Sequence, residues 1–146
     1  MKDNMDRAWL LVSGPMLDAG FEPVQMGDLV NAYIKENRGY NRRDDLIRAL
    51  AILGIPNMNL DPGMIKSPVE LESFKRKVER IAVDTALCVI YLGLEKTIDA
   101  DKLQMVFLSA ALTRAEIEHG LTTYDELERE LLTRVKDLGK ISIEDT

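Results

Sequence analysis

Residues 81–94 read IAVDTALCVIYLGL and contain a single charged side chain, that of Asp84. The stretch continues a run that starts near residue 71, in which apolar and weakly polar side chains recur at steps of three and four. That spacing places them on one face of an α-helix. A second apolar stripe within 81–94 lies on the opposite side, and a helix that is apolar all round is buried on all sides. We therefore predict that residues 68–95 form the buried central helix of an all-α domain.

The segments on both sides also read as helices, because apolar periodicity alternates with glycine, proline and capping residues. The predicted helices are 4–13 with a continuation over 15–19, 23–37, 41–54, 68–95, 101–112, 113–120 and 124–138. This gives a single-domain bundle of six to seven helices over residues 1–140, with a frayed tail at 141–146. A helix, a short turn and a second helix are predicted both before and after the central one, so both flanks have the outline of a helix-turn-helix unit.

Composition sets the broad class of the protein. The 146 residues are enough for one domain with a sizeable core. Apolar residues make up 46% but aromatic ones 5%, so the core must be mainly aliphatic. The single cysteine, Cys88, cannot form an internal disulfide and is expected to be a buried, inert thiol. We predict a cytoplasmic protein with no membrane association, since the apolar stretch 81–94 is too short to span a bilayer.

Patterns typical of catalysis or of cofactor binding are sparse. There is no glycine-rich phosphate loop and no serine nucleophile elbow. Glu116 and His119 have the spacing of a metal-binding helix, but a di-iron or zinc site needs more ligands than one histidine and one distant cysteine supply. The sequence thus predicts no metal, no cofactor and no catalytic residue. A helical enzyme that acts on a small ligand would have only Asp84, Tyr91 and acids that sequence cannot assign.

Asp84 is the residue that fits its surroundings least well. A carboxylate in an otherwise apolar helix must meet a partner, reach water or lie at a subunit junction. A lysine, an arginine or a capped amide is the favoured partner, and a functional role is the alternative. We therefore treat Asp84 as a buried polar or interface candidate.

The apolar faces of 81–94 and 101–112 amount to more surface than one chain of this size readily buries. This favours a non-enzymatic interaction or assembly module, with a protein partner or a second copy of itself, and a homodimer is the working hypothesis. The net charge of −6 argues against generic nucleic-acid binding, because contacts with phosphates require local positive charge.

One local cluster nevertheless supports an alternative function. The helix-turn-helix-like unit at 23–54 is basic around its turn and second helix, as a small nucleic-acid-binding regulator would require. The residues that would contact nucleic acid are Lys35, Arg38, Tyr40, Arg42, Arg43 and Arg48. The later unit, 113–138, is expected to repel phosphates because acids dominate its last helix.

Overall fold

The computed structural model describes residues 3–37, 43–55 and 62–142, and across these ranges the chain is helical with no strand. The described helices are α1 (Asn4–Asp18), α2 (Pro23–Glu36), α3 (Arg43–Leu53), α4 (Pro68–Leu94), α5 (Ala100–Glu118) and α6 (Tyr124–Arg134), with a 3₁₀ turn at Pro62–Met64. The predicted all-α bundle with a long central helix is confirmed. Across the described ranges, no helix is both long enough and apolar enough to cross a membrane.

Several helices begin where side-chain caps allow them to begin. The Ser67 hydroxyl accepts a hydrogen bond from the Glu70 amide at 3.1 Å, with Pro68 at the first helical position of α4. The Thr123 hydroxyl accepts from the Glu126 amide at 3.1 Å at the start of α6. Each cap satisfies an amide that the first helical turn leaves without a backbone partner. Both starts were predicted from the sequence.

The structure corrects two predicted helix breaks. Helix α1 runs through Gly14 and Pro15 without interruption. Helix α5 is continuous where we expected a new helix at Thr113. The Thr113 hydroxyl donates back to the Ser109 carbonyl at 3.2 Å and does not cap a helix. A capping pattern is local, whereas the face of α5 that packs against the bundle continues past Thr113 to the buried Arg114.

The last helix ends earlier than predicted, at Arg134 instead of 138. The chain then continues without regular structure and closes over α1, where the Trp9 indole donates to the Leu138 carbonyl at 2.7 Å. Ile141, which we placed in a frayed tail, is buried in the core. The Ser142 amide donates to the Asn31 side chain at 2.8 Å, while residues 143–146 lie outside the described ranges.

The core is formed mainly by α1, the second half of α4 and one face of α5. Helix α1 packs against α4, α5 and α6, while α2 and α3 pack on α4. At Gly93 the helices approach so closely that a Cβ atom would lie 2.9 Å from the Cα of Val30 on α2. The predicted burial of the central helix is confirmed for its second half, Val83 to Leu94. Its first half is mostly exposed, so the prediction of burial was wrong for residues 68–80.

Candidate interaction surface

Asp84 meets a buried arginine. The Arg114 guanidinium on α5 donates through Nη1 to Oδ1 of Asp84 on α4, and the two residues are 7% and 5% exposed. One turn away, Arg80 on α4 pairs with Glu118 on α5, at the surface. Along each of the two helices the base precedes the acid. Because the helices run antiparallel, each base meets the acid of the other helix. This arrangement fixes the register of α5 against α4, and it gives Asp84 the structural partner that was favoured from sequence.

Sequence reasoning missed Arg114 as that partner, although a signal was present. Arg114 follows Leu103, Phe107 and Ala110 at steps of four, three and four, the spacing of the buried face of α5. A lone base on one apolar helix face is the natural complement of a lone acid on another. The signal was hidden because we expected a new helix to begin at Thr113.

Helix α5 has two apolar faces, and within the described ranges only one of them is covered by the bundle. Leu103, Val106, Phe107 and Ala110 are buried against the bundle. On the opposite face Met105, Leu108 and Leu112 are 61%, 58% and 63% exposed. These three residues, which we call the α5 ridge, are spaced by three and four and form a continuous apolar row.

Two grooves lie beside the ridge. The groove towards α3, about 310 Å³, is lined by apolar side chains that include Ile52, Leu53 and Phe107, with Arg114 at its edge. The groove towards the end of α1, about 360 Å³, includes Pro15 and Ala19. A partner helix that covers the ridge would have room for its own side chains on both flanks.

A second apolar row lies on the exposed half of α4. Leu71 and Val78 are exposed and Phe74 is partly covered. This row is bordered by two basic side chains, Lys75 and Lys77. The α5 ridge is bordered by the small residues Ser109 and Ala111 and by one base and one acid, Lys102 and Glu116. The two surfaces therefore differ in the charge that a partner would meet.

Three of the six predicted nucleic-acid residues, Lys35, Arg43 and Arg48, lie within the described ranges. Lys35 and Arg43 are exposed. Arg48 makes two hydrogen bonds to the Glu95 carboxylate, at 2.6 and 2.9 Å, which tie α3 to the end of α4. These bonds raise the pKa of Arg48 above its usual value. The remaining three, Arg38, Tyr40 and Arg42, lie outside the described residues.

Of the other candidates for chemistry, Cys88 and Tyr91 are buried in the core. Burial, followed by the nearby charge of Asp84, raises the pKa of the Cys88 thiol to about 12. The Tyr91 ring packs edge-on against Phe107 with 5.6 Å between ring centroids, and burial raises the pKa of its hydroxyl. Among the described residues, no three His, Cys, Asp or Glu side chains are grouped closely enough to hold a metal ion. His119 caps the C-terminal end of α5 and is exposed.

No protein-family model, curated protein or solved structure is detectably similar to this chain.

Proposed function

We propose that this protein is a non-enzymatic helical assembly module that forms a homodimer through the α5 ridge. The observation that carries the proposal is the exposure of Met105, Leu108 and Leu112 in one row, directly opposite the buried face of the same helix. Contiguous apolar surface of this kind marks interaction sites in otherwise polar proteins. A partner on the ridge would bury the second apolar face of α5, as the bundle buries the first.

The energetics suit a reversible complex. Covering a large apolar side chain that is about 60% exposed gives roughly 1–2 kcal/mol. The six ridge side chains of two copies would then supply roughly 6–12 kcal/mol, against an association cost of about 4 kcal/mol or more. The net gain is then at most about 8 kcal/mol, so we expect a dissociation constant that is micromolar or weaker.

The test compares two leucine-to-aspartate variants. Leu108 lies in the ridge, whereas Leu121 is 74% exposed at a turn beyond the end of α5. Leu108→Asp should convert the dimer into a monomer in size-exclusion chromatography with light scattering, and Leu121→Asp should leave the dimer intact. Circular dichroism must show that both variants remain helical. A wild-type protein that is monomeric at high concentration would refute the proposal.

The alternative, a nucleic-acid-binding regulator, rests on the exposed bases Lys35 and Arg43. Its discriminating measurement is fluorescence anisotropy with DNA and RNA oligonucleotides at low salt. Salt-sensitive binding that is lost on charge reversal at Lys35 and Arg43, but kept on reversal at the α4 base Lys75, would support that function. Binding that persists in the double reversal, or no binding at low salt, would remove it.

A further inference from the structure

We infer that the two copies pair α5 against α5 in antiparallel orientation, about a two-fold axis at the level of residue 110. The inference rests on the proposed dimer and specifies its geometry. Beyond the three ridge residues, the same face continues to Asp101 before them and to Ala115 and the C-cap residue His119 after them. The full row is Asp101, Met105, Leu108, Leu112, Ala115 and His119.

The spacing along this row is four, three, four, three and four. This is the heptad spacing by which two helices pack side chains of one into holes of the other. The sequence of steps is the same in both directions, so a two-fold axis can place the row of one copy on the row of the other. Because α5 buries its opposite face against its own bundle, the row faces away from the core.

The side chains that such an axis brings together are complementary. Leu108 lies opposite Leu112 of the partner subunit at the centre. Met105, the longest side chain of the row, lies opposite the small Ala115 of the partner subunit. At each end Asp101 lies opposite His119 of the partner subunit, so that an acid meets an imidazole.

The flanking residues agree with this pairing. In the antiparallel arrangement Lys102 approaches Glu116 of the partner subunit, and both residues are exposed in the single chain. Near the axis, Ser109 and Ala111 approach their own copies, and short side chains there allow the helix axes to come close. The start of each α5 also lies beside the end of the other, so the helix dipoles oppose each other favourably.

The competing arrangements lack this complementarity. A parallel pairing of α5 would place Asp101 beside its own copy and would stack Met105 on Met105. An antiparallel pairing of the apolar row on α4 would place Lys75 against Lys75 and Lys77 against Lys77 of the partner subunit. Like charges in such positions oppose association, so the second copy is assigned to the ridge of α5.

The first experiment is cross-linking with introduced cysteines and a short bis-maleimide. The native Cys88 is buried, so it should not react in the folded protein. A mixture of Asp101→Cys and His119→Cys chains should give a cross-linked dimer, whereas either variant alone should not. Cross-linking of each variant alone, without a mixed product, would show a parallel pairing and overturn the inference.

The second experiment reverses the flanking charges. Lys102→Glu or Glu116→Lys alone should raise the dissociation constant about tenfold, since each change reverses two symmetric contacts. The double variant should return to within about threefold of the wild type. If both singles weaken the dimer but the double does not recover, the antiparallel geometry is wrong. In that case sensitivity to Leu108→Asp would still support the proposed dimer.

Discussion

The buried pair of Asp84 and Arg114 gives the sharpest prediction about stability. Replacement of Asp84 by Leu leaves the Arg114 guanidinium buried without its carboxylate. Breaking a buried ion pair from one side costs about 3–5 kcal/mol, a large part of the 5–15 kcal/mol that holds a typical domain folded. We therefore expect Asp84→Leu to lower the free energy of unfolding by about that amount.

The double variant Asp84→Leu/Arg114→Met tests the cause. Both charges are then gone and the volume is roughly kept, so the loss should be small or even reversed, since such replacements range from neutral to about 4 kcal/mol stabilising. The matched control is Arg80→Ala, which removes the exposed pair with Glu118 and should cost about 1 kcal/mol or less.

The assay is urea unfolding followed by circular dichroism, at a chain concentration low enough that dimerisation does not contribute to stability. A cost of Asp84→Leu no larger than that of Arg80→Ala would contradict the buried ion pair. If the double variant loses as much stability as Asp84→Leu and Arg114→Met lose together, the two charges are not coupled, which would contradict the pair as well.

Three other changes test the packing and its pH dependence. Gly93→Ala should destabilise by at least about 1 kcal/mol in urea unfolding, because its methyl would press on Val30 and outweigh the gain in helix propensity. Trp9→Phe should cost about 1–3 kcal/mol in thermal unfolding, because the Leu138 carbonyl loses its donor; a neutral result would show that water replaces the indole. Folding raises the pKa of Cys88 from 9.0 to about 12, so the unfolded chain binds fewer protons between these values and stability falls as pH rises through them. Over that range the wild type should lose up to about 4 kcal/mol more than Cys88→Val; equal losses would contradict the buried thiol.

The parts of the fold that were predicted correctly are those fixed by local sequence. The second half of α4 is apolar on nearly every side, and a helix of this kind is buried. The caps at Ser67 and Thr123 each lie within three residues of the amide that they bind. Both signals therefore act over a few residues and remain valid wherever the helices pack.

The parts that were missed depend on distant residues. Arg48 binds Glu95, which is 47 residues away, and no helical spacing reveals such a pair. The exposed first half of α4 could not be recognised either, because its stripe of Leu71, Phe74 and Val78 has the same spacing as a buried one. Whether an apolar stripe is buried depends on which other helices, or which second molecule, pack against it.

The α5 ridge shows most clearly the difference between features set by local sequence and features set by distant residues. From the sequence, the apolar faces of 81–94 and 101–112 were expected to exceed what one chain buries, which suggested a dimer without indicating where it forms. The structure leaves one face of α5 uncovered and places Met105, Leu108 and Leu112 on it. The residue pattern therefore indicated an excess of apolar surface, but only the coordinates indicated which surface would pair.

The most direct test of the central claim is sedimentation equilibrium of the wild-type chain over a wide range of concentrations. The account predicts a reversible rise from the monomer mass of 16.5 kDa to twice that value, with no larger species. A mass that stays at 16.5 kDa at every concentration would contradict it. Continued growth beyond two chains would contradict it as well, because a two-fold pairing of α5 closes on itself.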